Sequence, residues 1–124
     1  MKGTGRECLQ KIEPGIKLWL SLAGQGIFGH GKWQLLDAIN RKGSLQAAAD
    51  SLGISYRKAW GDLRKAERTL GVLFLERHRG GSEGGESHLT EEGRKWLKEY
   101  GRFHDEVEKG VKRAHARWAK RMCK

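Results

Sequence analysis

The run GISYRKAWGDLRKAERTLG, residues 53–71, sets Arg57, Lys58, Arg64, Lys65 and Arg68 among apolar residues at helical spacing. Long cations gathered on one element offer one kind of chemistry: they neutralise a polyanion and release its counterions. A basic, well-solvated surface helix is the alternative. The whole chain shares the bias, with 25 Lys and Arg against 15 acids in 124 residues and a formal net charge of +10. Catalysis would need a convergent set of groups. Asp37, Asp50, Asp62 and Glu67 instead read as carboxylates scattered over helix surfaces, and no Ser/His/Asp or Cys/His cluster is suggested. His78 and His88 straddle a loop with no third ligand nearby, so they read as surface residues. The expectation is therefore a binding protein, not an enzyme, with no metal and no cofactor.

Several elements must position these cations. In IKLWLSLAGQGIF, Ile16, Leu18, Leu20 and Leu22 alternate with Lys17, Trp19 and Ser21, the pattern of a half-buried strand. Gly24-Gln25-Gly26 predicts a hairpin turn into a short return strand. The period then changes. Leu35, Leu36 and Ile39 fit a helix that ends at Gly43. Ser44 caps the next one, whose buried face is Leu45, Ala48, Ala49 and Leu52. Gly53 ends it, and after Ile54 the residue Ser55 caps a third helix with Ala59, Leu63, Ala66 and Leu70 inward. Two short helices joined by a glycine-containing turn make a helix-turn-helix, although any small α-domain can hold a helical hairpin. Ala48 and Ala49 are small enough for the third helix to cross closely.

After Gly71, VLFLERH and HLT predict two short strands around the glycine-rich RGGSEGGES, a wing. That loop lacks the Lys-Ser/Thr pair of a nucleotide-phosphate loop. Thr90 caps the last helix, with Glu91 and Glu92 in its first turn. Trp96, Tyr100, Phe103, Val107, Val111, Ala114 and Trp118 then recur every three or four residues. Such a stripe outruns a small domain and predicts dimerisation through a second copy of the helix, the alternative being that it folds back on its own domain. Trp19, Trp33 and Trp60 read as packing residues. The fold expected is mainly α with small β: a winged helix-turn-helix with an N-terminal β-hairpin and a long C-terminal dimerisation helix. The parts are a tail at 1–15, a DNA-binding domain at 16–90 and a helix at 91–124. Cys8 and Cys123 form no metal or disulfide framework, no run is apolar enough to span a membrane, and the start lacks a signal-peptide centre. A cytoplasmic protein is expected.

GSLQAAADSLGISYRKAWGDLRKAERTLGVLFLER resembles the winged helix-turn-helix of LysR-type bacterial regulators, as does LTEEG at the start of the last helix. SYRKAW, the wing GGSEGG followed by LT, and the leading strand pair are similar more narrowly to the DNA-binding domain of ModE-type molybdenum-responsive regulators. The resemblance covers roughly residues 14–105. It implies that the helix from Ser55 is the recognition helix of a transcriptional regulator that binds double-stranded DNA as a homodimer. Ser55, Tyr56, Arg57 and Lys58 form the first turn, the part that meets base edges in the major groove. Arg57 can fork onto guanine O6 and N7, and Tyr56 can use its hydroxyl on phosphate and its ring on a thymine methyl. Arg64 and Lys65 suit phosphate. Ser44 and Gln46 open the preceding helix, whose N-terminal amides suit a phosphate. Arg79 and Ser82 belong to the wing, Arg79 facing phosphate or the narrow minor groove. Long members of that family carry C-terminal domains for molybdate or tungstate. Nothing of the kind follows ARWAKRMCK, so molybdate binding is not transferred, and any effector is expected to act through a separate sensing partner. A LysR-like DNA-binding protein without a molybdenum link, and a protein-interaction adaptor using the C-terminal helix, are the other readings.

Overall fold

Serine and glycine punctuate the helices where the sequence sets them. In the computed structural model, which describes residues 11–76 and 86–123, α1 (His30–Lys42) ends at Gly43, α2 (Leu45–Leu52) at Gly53 and α3 (Tyr56–Leu70) at Gly71. These glycines adopt φ of 83°, 70° and 71°, the left-handed cap that costs a residue without Cβ least. The Ser44 hydroxyl accepts from the Ala47 amide and that of Ser55 from the Lys58 amide, both at 3.0 Å. Each satisfies a donor that the first helical turn would otherwise leave bare.

The described residues fall into two units, Leu18–Gly101 on the one hand and residues 11–17 with 102–123 on the other. The first opens with strands β1 (Trp19–Leu22) and β2 (Gln25–Gly29), paired antiparallel. Their turn is Ala23-Gly24, not the expected Gly24-Gln25-Gly26. Both turn residues have positive φ, 51° and 83°, as a two-residue hairpin with right-handed strand twist requires. The register shifts after Leu20, which pairs with Phe28 while Ser21 pairs with Gly26. The extra residue, Ile27, makes a bulge that buries Ile27 and Phe28 together. Ile16, Leu18 and Leu20 are half-buried as the alternation predicts, but Leu22 is exposed at the turn. Trp19 is also turned outward, 62% exposed, and does not pack in the core as expected. Its cross-strand partner is Gly29, so no opposing side chain covers its ring.

Helix α1 packs on α2 and α2 on α3, through Leu36, Ile39, Ala48, Ala49, Ala59, Leu63 and Ala66. The alanines let α3 lie close, as their size predicts. Beyond α3, β3 (Leu75–Glu76) pairs antiparallel with β4 (His88–Leu89). The Thr90 amide donates to Phe74 O and the Ser87 amide to Gly43 O, both at 2.9 Å, which fastens the base of the wing to α1. The loop at 77–85, with His78, Arg79 and Ser82, lies outside the described residues. The fold is a winged helix-turn-helix, mainly α with small β, as expected.

Helix α4 (Glu91–Met122) starts at Thr90, whose hydroxyl accepts from the Gly93 amide at 2.9 Å and donates to Leu73 O. Gly93 is demanded by contact, since a Cβ there would collide with the Phe74 carbonyl oxygen. Trp96 and Tyr100, expected in the dimer stripe, pack instead with Phe28 and Phe74 in the core of the first unit. Tyr100 donates to Leu18 O at 2.8 Å, and desolvation raises its pKa, so the phenol keeps its proton. Trp33 donates to Leu97 O at 2.9 Å and is structural as expected. In the second unit Phe103 is 41% exposed, Val107, Val111 and Trp118 are half-buried and Ala114 is exposed. Among the described residues no helix is long and apolar enough to cross a membrane.

One carboxylate departs from the surface reading. Glu67 is 2% exposed, and its Oε2 accepts from the Phe74 amide at 2.7 Å. The backbone of Glu67 also accepts from the amides of Gly71 and Val72. One residue thus turns the chain from α3 into β3. Glu67→Ala should strand the buried Phe74 amide and cost about 1–3 kcal/mol in chemical denaturation. Glu67→Gln keeps an acceptor oxygen and should recover most of that loss.

Candidate nucleic-acid interface

Helix α3 buries Ala59, Leu63, Ala66 and Glu67 and so turns the opposite side outward. At ~100° per residue, the opposite side carries Arg57, Gly61, Arg64 and Arg68, flanked by Lys58 and Lys65. Arg57, Lys58, Lys65 and Arg68 are exposed. The Lys58 ammonium lies 3.2 Å from Asp62 Oδ2, one turn on, so its charge is partly answered along the helix. Asp37 pairs likewise with Arg41 at 3.0 Å, and Asp50 accepts from Gln46 Nε2 at 2.9 Å. These three carboxylates sit at helix surfaces as expected, each engaged locally.

Trp60 is not part of the buried core. It is 39% exposed, one residue off the buried stripe, and its ring carries the Arg64 guanidinium 5.9 Å from its centre. Arg64 Nη1 is also 3.9 Å from Glu67 Oε1, and Arg64 Nε is buried without a hydrogen-bond partner. The aromatic face and the carboxyl hold this arginine in place, whereas Arg57 and Lys65 project freely enough to search for a ligand.

The structure therefore gathers Arg57, Lys58 and Lys65 on the outward side of α3, in the first unit, with Arg64 half-buried beside them. Tyr56 is exposed at the helix start but shares the angular side of Leu63 and Glu67. Ser44 and Gln46 stand apart at the start of α2, the Ser44 hydroxyl engaged as a cap and the Gln46 amide on Asp50. Arg79 and Ser82 lie outside the described residues. Arg68 is not among the DNA-contacting residues expected from the sequence, yet it follows Arg57 by eleven residues, three turns along the same face. That spacing was the available signal. Glu67 was missed because its charge argued outward while its position, four after Leu63, pointed inward. His88 is exposed beside Glu86, its Nε2 3.3 Å from Oε2. Among the described residues the one group near metal-ligand spacing is His104, Asp105 and Glu108, with ligand atoms within 4.8 Å of one another, on a single mostly exposed turn of α4.

A family model described as bacterial regulatory helix-turn-helix protein, lysR family, matches residues 31–94. The chain is 37% identical over 75 residues to the molybdenum-pterin-binding protein MopB of Rhodobacter capsulatus, covering 60% of this chain and 28% of that protein. It is 35% identical over 66 residues to the transcriptional regulator ModE of Yersinia pestis, covering 53% of this chain and 25% of that one. It thus spans about a quarter of the length of these curated relatives. Among solved structures, the CbnR DNA-binding domain in complex with DNA superposes with a TM-score of 0.56 at 26% identity, over 69% of this chain and 93% of that one.

Proposed function

Because the chain belongs to the lysR family of bacterial regulatory helix-turn-helix proteins, we propose that it is a transcriptional regulator whose α3 enters the major groove of double-stranded DNA. One observation carries this reading. The Ser55-capped helix exposes Arg57, Lys58, Lys65 and Arg68 on the side opposite its buried stripe. Lysine and arginine there serve no core, and on a winged helix-turn-helix that side is the one that meets DNA. The similarity to the DNA-bound CbnR domain supports the same placement.

The protein acts as a homodimer on an inverted repeat, in the cytoplasm, without enzymatic activity. Its work divides between a DNA-binding domain at 16–90 and a helix at 91–124. Similarity to MopB and ModE supports a role linked to molybdenum, with the effector sensed outside the residues described here. Ser44, Gln46, Arg79 and Ser82 hold phosphates around the helix.

Arg57 and Lys65 separate reading from attraction. Arg57, in the first turn, reaches base edges, and Arg57→Ala should cost about 1–3 kcal/mol of specific binding while leaving random DNA nearly unaffected. Lys65 lies where the groove recedes. Lys65→Ala should weaken specific and random duplexes alike and lower the slope of log affinity against log salt by about one. Salt titrations on a duplex selected from a random pool, beside a scrambled duplex, make the measurement. Unchanged affinities for both variants would reduce α3 to a solvated basic surface.

A further inference from the structure

Gly61 stands in the middle of α3, where glycine is the poorest helix former except proline. Each other explanation for a glycine fails here. Its φ is not positive, unlike Gly43, Gly53 and Gly71. An added Cβ would meet no atom within 4 Å, unlike at Gly93, where the Phe74 carbonyl oxygen stands in the way. It is exposed, so no packing partner requires a small residue. Within the fold, alanine would be better at this position.

Its surroundings point outward. Gly61 lies two residues from both Ala59 and Leu63, so at ~100° per residue it is diametrically opposite the buried stripe. Arg57 precedes it by one turn, Arg64 and Lys65 follow by one, and Arg68 by two. None of their side chains folds over it, since the space above its Cα is open. Arg64 is drawn aside over the Trp60 ring. The result is an open notch at the crest of the basic face, bordered by cations. A helix lying in the major groove brings its crest nearest to the base edges, and a missing Cβ lets backbone and base approach by the depth of a methyl group.

We propose that Gly61 is the point of closest approach between this helix and the base edges of its DNA site, and that its missing side chain sets how deeply the helix seats. The inference rests on α3 being the DNA-reading helix. Depth then fixes whether Arg57 reaches its base, so Gly61 governs specificity without donating a hydrogen bond.

The test compares Gly61→Ala and Gly61→Leu with the parent on a duplex selected by the parent from a random pool and on a scrambled duplex. Thermal melts run beside the titrations. Gly61→Ala should melt higher than the parent, because the fold gains a better helix former, yet bind the selected duplex about tenfold more weakly, at the low end of what one lost base contact costs. Its affinity for scrambled DNA should be unchanged. Gly61→Leu should fold and lose preference for the selected duplex altogether. A Gly61→Ala protein that binds the selected duplex as tightly as the parent overturns the proposal and leaves the DNA-binding reading standing. Equal losses on both duplexes overturn it too, since they mark a phosphate contact. A parent that binds no duplex removes the reading of α3 itself.

Discussion

Phe28→Ala is expected to lower the stability of the winged-helix unit by about 3–5 kcal/mol, the range for emptying a buried phenylalanine site. Phe28 is among the largest fully buried side chains, and three aromatic rings surround it. Phe74 lies at 6.0 Å between centroids in an edge arrangement, Tyr100 at 5.2 Å likewise, and Trp96 at 5.0 Å tilted. Phe74 comes from the segment between α3 and β3, and Trp96 and Tyr100 come from the N-terminal part of α4. Collapse into the void would have to move all three, so little of it can be recovered. Chemical denaturation should show the midpoint falling with an unchanged slope. Trp19→Ala, on the exposed face of the same hairpin, should change stability far less. If the two variants melted alike, the core would not be centred on Phe28.

The same aromatic cluster shows what periodicity can and cannot tell. Trp96, Tyr100 and Phe103 stand at correct spacing for one apolar face, and that face exists. Spacing does not say what covers it. The first two are covered by Phe28 and Phe74, which come from far along the chain, and no local pattern announces that meeting. The helix boundaries were legible because their causes are local: a serine hydroxyl three residues from the amide it caps, a glycine free to take a left-handed φ. The hairpin turn was misplaced because Ala23 takes a positive φ that an alanine gives no reason to expect. The bulge at Ile27 shifted the register after it.

The site was legible to the extent that it follows from one helix. Cations opposite an apolar stripe must face outward, and Arg57, Lys58, Lys65 and Arg68 do, while Arg64 is drawn half inside by Trp60 and Glu67. Trp60 went the other way for a physical reason. A tryptophan gains by burial, but residue 60 lies at the margin of the buried stripe, and a guanidinium one turn on offers its ring a partner at the surface. Glu67 is the converse, a carboxyl taken inside because a backbone amide seven residues later needs an acceptor there.

Val107→Asp combined with Val111→Asp should convert a dimer into a monomer and weaken binding to an inverted repeat by about 10²–10⁴-fold, the gain usually supplied by a tethered second site. With Trp96 and Tyr100 committed to the core, the seam available to a second copy narrows to Phe103, Val107, Val111, Ala114 and Trp118. Phe103 is 41% exposed and Ala114 is exposed in the single chain. A two-fold pair would lay these residues against their own counterparts and present two α3 helices with the same symmetry. The half-sites should then mirror each other about one helical turn apart or somewhat further. Two aspartates in the seam would face two more across the axis, and burying four such charges is prohibitive. Binding to a single half-site should stay as it was, because α3 is untouched, and the melting of the winged-helix unit should not change. Light scattering at micromolar concentration, with titrations on whole and half sites, reads both effects. An unmutated chain that scatters as a monomer, or a selected site without a dyad, would mean that the stripe on α4 serves its own chain alone.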